Sequence, residues 1–493
     1  MRDPAGPDKP ECDADMAAGA IRRGGAGGAA CGLAACPVST DRDRRGRRGQ
    51  DNVTTGFARL PDTPAFRLAN LRVPACLVAD DVAADRNGLA RVDLAIAEGR
   101  VAAIEPAGAA VAGTVPSYSL DGGIVLPRLV DCHTHIDKGH IWPRSPNPDG
   151  TFPGALTTVA ADREANWSAA DVRARMDFSL RTAFAHGTAA LRTHIDSLGR
   201  QIGISWPVYA EIRAEWAGRI ALQASPLFGA DAALDPAHMA AVVAAVKAHG
   251  DRLLGCVTYM IPELDRALDI LFRAAIEHGF DLDFHVDETN DPAARSLEHI
   301  ADAALRHRFT GRILCGHCCS LSLQAPEDEA RIIAKVREAG IAIVSLPLCN
   351  MYLQDRQPGR TPRWSGVTAL HELKAAGVPV MIASDNTRDP FYAYGDLDLV
   401  EVLREGARIL QLDHSGPDWA SAVARTPAAA MGLRDTGTIA AGAPADLVLT
   451  RARDWTELFS RPQADRTVLV SGKAIDRTLP DYRELDHLMG RAS

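Results

Sequence analysis

From about residue 121 to residue 434 the chain alternates two patterns. Short apolar runs ending in polar residues are followed by Ala/Arg/Glu-rich stretches of helical periodicity. Eight runs read as strands: 124–131, 188–194, 219–226, 253–258, 281–285, 312–317, 341–346 and 378–384. Stretches between them, such as 171–186, 237–249 and 327–339, read as helices. Repeated strand–helix units predict an α/β protein with a parallel sheet, and eight of them over roughly 300 residues fit a closed (β/α)8 TIM-like barrel. In that architecture, polar residues at the C-terminal ends of the strands converge on one mouth. Shorter β-like runs precede this region at 71–74, 92–96 and 101–104, with a turn at Gly99. The same texture returns at 437–439, 442–449 and 468–473. The expectation is a small β-sandwich domain built from both chain ends, residues 61–120 and 435–493, around a barrel spanning 121–434. Residues 1–60, with a glycine-rich piece at 24–28 and a charge run at 41–48, predict a disordered, low-complexity extension that cannot bury a core.

Composition narrows the classes of function. Of 493 residues, 46% are hydrophobic and 24% charged, with a formal net charge of −9. That balance argues against nucleic acid or an anionic membrane as partner. No run approaches the ~18 apolar residues of a membrane span, and the N-terminus has no compact apolar region of the secretory kind. Ten irregularly spaced cysteines do not form a disulfide framework, so a reducing cytoplasm is the expected compartment. Cys315 and Cys318 form a C-x-x-C at a strand end, where structural thiols are expected rather than a redox pair.

The chemistry collects at the strand ends. His133 and His135 are two apart at the end of a largely apolar run, so on a strand both point to one face. By themselves they read more often as a pair of satisfied core or surface histidines than as half of a metal site, so the case for metal depends on the rest of the chain. Further along come Arg192-Thr193-His194-Ile195-Asp196, His285-Val286-Asp287-Glu288, His317, Asn350 and Ser384-Asp385-Asn386. His133, His135, His285 and Asp385 supply N and O donors from the ends of strands 1, 5 and 8, a set suited to Zn2+ or Fe2+ with room left for water.

These residues, together with Asp131-Cys132-His133-Thr134-His135-Ile136-Asp137, Gly316-His317, Pro347-Leu348-Cys349-Asn350, Leu353-Gln354-Asp355-Arg356 and Asp389-Pro390-Phe391-Tyr392, resemble the amidohydrolase superfamily. Within it, the resemblance is to the bacterial cytosine deaminase group, and it covers most of the chain from about Leu71. It implies that His133, His135, His285 and Asp385 hold one divalent metal ion (Fe2+ or Zn2+). The strand-4 lysine that bridges two metals in other members has no counterpart in Gly255-Cys256-Val257-Thr258-Tyr259. It further implies that Glu288 shuttles protons, that His317 orients the attacking water and contacts substrate, and that Asp385 takes a proton while holding the metal. His194 and Asp196 are open between support of the ligands and plain structural hydrogen bonding. Trp142, Trp364, Phe391 and Tyr392 are open between walling the pocket and packing.

Two departures bear on substrate. Leu227 stands after Pro226 where cytosine deaminases have a glutamine, and Asn386 follows the metal aspartate where they have a second aspartate. The altered donor–acceptor pattern predicts a small heterocyclic substrate other than cytosine, deaminated at an exocyclic amine. Hydrolysis of a cyclic amide or an N-alkyl amine is the alternative, and a non-catalytic barrel the third reading. A homo-oligomer is left open.

Overall fold

In the computed structural model the described residues are 56–109, 115–250, 252–462 and 465–490. They belong to one unit spanning residues 52–493, so the extension expected for 1–60 lies outside them up to residue 55. Residues just beyond it are packed. Ala58 is buried, its amide donates to Thr467 Oγ1 (3.0 Å), and Phe57 and Leu60 lie against the core of the small sheets.

The fold is α/β. A three-stranded parallel sheet runs Leu129–Thr134, Thr188–Asp196, Ala221–Leu227. A second parallel sheet runs from Val257–Thr258 and Leu253–Leu254, which share Asp281–Val286 as neighbour, through Ile313–His317 and Ile341–Ser345 to Val380–Ile382. Isolated parallel bridges, Gly229 to Val257 and Thr134 to Asp385, join the two sheets at both edges. The strands Leu129–Thr134, Ile313–His317 and Ile341–Ser345 are buried along their whole length, as parallel strands covered on both faces require.

Helices between strands have the stop and start signals their sequences imply. Ser168 caps Ala169–His186 by accepting from the Asp171 amide, and Gly187 ends it in the left-handed region at φ 101°. A side chain at Gly187 would also meet Val448, where the small domain's last strands pass beneath.

Two four-stranded sheets face each other. One contains Ala65–Pro74, Leu89–Ala97, Arg100–Pro106 and Ser117–Ser119; the other contains Val125–Pro127, Leu447–Thr450, Arg466–Val470 and Lys473–Ala474. Phe66, Leu68, Leu94, Val125, Leu447 and Leu469 form their common core. This corrects one expectation: the run 124–131 is two strands. Val125–Pro127 pairs antiparallel with Leu447–Thr450, and the parallel sheet begins at Leu129. Pro127 cannot donate to a ladder, and Arg128 turns in to the Thr188 and Arg219 carbonyls and Asp446. The run 253–258 is likewise broken at Gly255-Cys256, where a Cβ on Gly255 would overlap the Asp283 carbonyl. Among the described residues no helix is long and apolar enough to cross a membrane.

One buried ion pair locks the small sheets to the helical layer. Arg466 Nη1 and Nη2 donate to Asp398 Oδ1 (2.8 Å) and Oδ2 (2.6 Å). Burial alone would raise the Asp398 pKa; the charges of Arg466 and His186 outweigh it and hold the carboxyl well below its usual range. A carboxylate depressed in the folded state stabilises above its unfolded pKa of about 3.9, and that contribution is lost as pH falls below it. Asp398→Asn, which leaves Arg466 without its counter-ion, will cost about 3–5 kcal/mol at pH 7. In urea unfolding, the gap between variant and parent will narrow at pH 3.

Candidate metal and catalytic site

His133 and His135 reach the site through an irregular ladder. Strict alternation would turn Cys132 away from them. Instead Val130 and Cys132 join an inner cluster with Ala190, Leu314, Val344 and Met381. A register shift between Asp131 and Thr134 then changes the phase of the strand, as bulges beside active sites commonly do. The His133 ring stands over Gly316, where a Cβ would lie 2.7 Å from its Cε1. Asp385 follows the last strand at φ 64°, with its amide donating to the His133 carbonyl at 3.0 Å. Asp131 accepts from the Ser384 amide (3.2 Å) and hydroxyl, fixing the preceding residue.

Four of the sequence-derived residues thereby converge. His285 Nε2 is 3.1 Å from both His133 Nε2 and His135 Nε2. Asp385 Oδ1 is 3.3 Å from His135 Nε2 and 3.7 Å from His133 Nε2. All are buried, and neither Asp385 oxygen has a hydrogen-bond partner. Burial first, and then neighbouring positive charge, lowers the pKa of all three imidazoles well below the ordinary histidine value, keeping them in the neutral form that binds metals. Burial pushes the Asp385 carboxyl up to about 8; a cation among the three imidazoles would reverse that and keep it ionised. Lone pairs directed at one buried point, with an unpaired carboxyl beside them, fit a divalent ion.

Beside them lie Glu288 and His317, joined through Asn350. Asn350 Nδ2 donates to Glu288 Oε1 (3.1 Å) and to His317 Nδ1 (3.0 Å). Gln354 donates to the Glu288 carbonyl at 3.3 Å. Burial, reinforced by Asp385, raises the Glu288 carboxyl well above its ordinary value, with Asn350 and Lys138 opposing. Burial lowers His317 to about 3, so the ring is neutral. With Nδ1 accepting, its proton sits on Nε2, a buried atom without a partner.

His194 is packed behind the cluster, its ring centroid 4.2 Å from that of His133 and 4.4 Å from that of His285. Its nitrogens are engaged by the Thr134 carbonyl (3.3 Å) and Asp283 Oδ1 (3.1 Å), and Asp283 also accepts from Arg192 at 2.7 Å. Asp283 was not read from the sequence, although it lies two residues before His285 and so shares its face of the strand. Asp196 pairs instead with Lys138 and Arg163, each at 2.8 Å.

The two substrate-side expectations fare differently. Leu227 ends its strand with 8% exposure, and its carbonyl accepts from the Ser197 amide. Asn386 is turned aside: its Nδ2 donates to Asp389 at 2.7 Å, and Cys349 Sγ lies 3.6 Å from its Oδ1. Phe391 packs against Phe152 and beneath Lys138. Cys315, Cys318 and Cys319 are buried and free, and burial raises their thiol pKa values, which keeps them protonated.

Residues 209–475 match the Amidohydrolase family, and the chain belongs to it. Pterin deaminase of Rhizobium rhizogenes is 55% identical over 89% of this chain and 100% of its own length. N-isopropylammelide isopropyl amidohydrolase of a Pseudomonas species is 24% identical, covering 72% of this chain and 86% of that protein. Among solved structures, the fold is shared with 5-methylcytosine deaminase from Klebsiella pneumoniae, at a TM-score of 0.72 and 23% identity over 83% of this chain and 97% of the other.

Proposed function

We propose that this chain is a metal-dependent hydrolase that removes the exocyclic amine of a small nitrogen heterocycle of the pterin class. The observation that carries the reading is the convergence of three imidazole Nε2 atoms and the Asp385 carboxyl at one buried point beside Glu288, whose carboxyl pKa is raised by burial. The pterin class is supported by 55% identity along the whole length of a pterin deaminase. We read the two parallel sheets, bridged at Thr134–Asp385 and Gly229–Val257, as one closed (β/α)8 barrel and the two facing sheets as a β-sandwich.

His133, His135, His285 and Asp385 would hold one Fe2+ or Zn2+, whose donor set does not distinguish the two. When bound, such an ion supplies Lewis acidity, bringing the pKa of water from 15.7 towards about 7. Around it, the chain's own residues handle protons and charge. The water oxygen bonds to the amine-bearing ring carbon, the carbon–nitrogen bond breaks, ammonia leaves and the ring keeps a carbonyl. Glu288 in its acid form gives its proton to the adjacent ring nitrogen; restored by the proton that Asp385 accepts from water, it protonates the departing amine, and it then takes the remaining hydroxyl proton of the adduct as the product carbonyl forms, returning to its starting state. His317 Nε2–H donates to the developing oxyanion, its tautomer set by Asn350. Leu227 supplies an apolar wall. Asn386, with one amide hydrogen on Asp389, offers the substrate a neutral amide with a second N–H and its oxygen, so the pocket differs from one presenting a carboxylate.

The test is a panel of pterin, cytosine, aminotriazines and an N-alkylaminotriazine assayed with zinc- and iron-loaded enzyme. The expected result is ammonia release from pterin with the ring intact and cytosine turned over poorly. Free alkylamine or a ring-opened acid as the main product would replace this reading with N-alkyl amine or cyclic amide hydrolysis.

A further inference from the structure

The two strand ends that carry His133, His135 and Asp385 meet at a weak seam. Their sheets touch there through a single bridge, Thr134 to Asp385, where other neighbouring strands share ladders of several residues. Past the bridge, the two following loops are zipped together: His140 N donates to the Thr387 carbonyl (2.9 Å) and Trp142 N to the Arg388 carbonyl (2.8 Å). Asp385, Arg388 and His140 all sit at positive φ, 64°, 47° and 67°, conformations that non-glycine residues keep only where surrounding contacts hold them.

One residue from the far end of the chain grips both loops. The Tyr482 ring lies 3.8 Å from the Arg388 guanidinium carbon, a cation–π contact. Its centroid is 6.1 Å from that of His140 and 5.5 Å from that of Phe178, on which it stacks. His140 is buried and neither ring nitrogen has a hydrogen-bond partner, so packing against Phe178 and Tyr482 is what holds it. The Tyr482 hydroxyl donates to Asp396 at 2.6 Å. The turn bearing it, Tyr482–Leu488, touches the first loop once more, where Arg144 Nη1 donates to the Leu488 carbonyl at 3.2 Å, and its other anchors lie outside both loops. Leu485 and Met489 pack on Phe178, Glu484 pairs with Arg181 at 2.6 Å, and Asp481 and Glu484 form a capping box.

We infer that Tyr482 is a positioning residue for the metal site, setting the approach of Asp385 to His133 and His135 by clamping the loops that follow them. The inference rests on the metal site proposed above. It adds a function for the C-terminal turn, which touches none of the ligands. Partners hydrogen-bonded directly to ligands typically change metal affinity about 10–100-fold when removed; Tyr482 acts one contact further out, through the loops, so the lower end of that range is the most it should reach.

Full-length parent, Tyr482→Ala and Tyr482→Phe are loaded with Zn2+, freed of excess metal and challenged with EDTA while zinc release is followed. Thermal unfolding of each metal-free protein is recorded alongside. Tyr482→Ala is expected to release zinc severalfold and up to about tenfold faster, with metal-free unfolding close to parental. Tyr482→Phe, which keeps the ring over Arg388 and His140, should restore slow release. Parental release from Tyr482→Ala overturns the inference. So does faster release in both variants with a matching loss of metal-free stability, since that marks general loosening. A parent that takes up no zinc removes the metal site itself, and this inference with it.

Discussion

Glu288→Gln will lower kcat for ammonia release by about 10²–10⁴-fold, the contribution of a positioned acid–base group, while zinc content and thermal unfolding stay parental. Glutamine keeps the shape and still accepts from Asn350 Nδ2, which reaches Glu288 Oε1 at 3.1 Å, so the loss isolates the proton. The pH profile provides a second reading. Burial is the larger reason the Glu288 carboxyl is raised, and the Asp385 charge the smaller. A cation at Asp385 would cancel the second and also pull the carboxyl down by its own charge, leaving burial as the cause that keeps Glu288 raised. Parental kcat should therefore fall on the alkaline side as Glu288 ionises, and the Gln variant should lack that limb. A near-parental rate in the variant would take Glu288 out of the mechanism.

His285→Ala will leave a protein that no longer retains zinc or iron through gel filtration, with kcat/KM reduced by at least about 10³-fold, because water then returns to a pKa near 15.7. His285 is the hinge of the donor set, with its Nε2 3.1 Å from those of both other histidines. The alanine variant also relieves crowding among buried imidazoles, so its metal-free form should unfold no more than a few degrees from the metal-free parent. Metal analysis beside the unfolding curve separates the two effects. Stoichiometric metal in His285→Ala would exclude it as a ligand.

The strand ends were legible because a parallel α/β chain announces itself in alternating buried runs and helical stretches, and most runs here close on a polar residue. His133, His135, His285, His317 and Asp385 could be named from that rule, and they meet. Other features were hidden in register. The phase change between Asp131 and Thr134 leaves no mark in the local pattern, yet without it Cys132 and His133 could not both face inward. The run 124–131 reads as one strand because both halves are apolar; only the pairing of Val125–Pro127 with Leu447–Thr450 divides it. Asp283 lies two places before His285, and only the fold brings Arg192 and His194 onto it from another strand. The bond from the Asn386 amide to Asp389, three residues on, is likewise a product of the loop's fold.

By itself the sequence determined the order of strands and helices, the donors at the strand ends and the absence of charge or apolar runs suited to nucleic acid or a membrane span. These are properties of local composition and periodicity. Only the tertiary structure decided which side chains share a face, which Asn350 hydrogens reach Glu288 and His317, and that a turn at residue 482 bears on loops near residues 140 and 388. Contacts between residues hundreds of positions apart depend on how the sheets meet at their edges, and no local pattern records that.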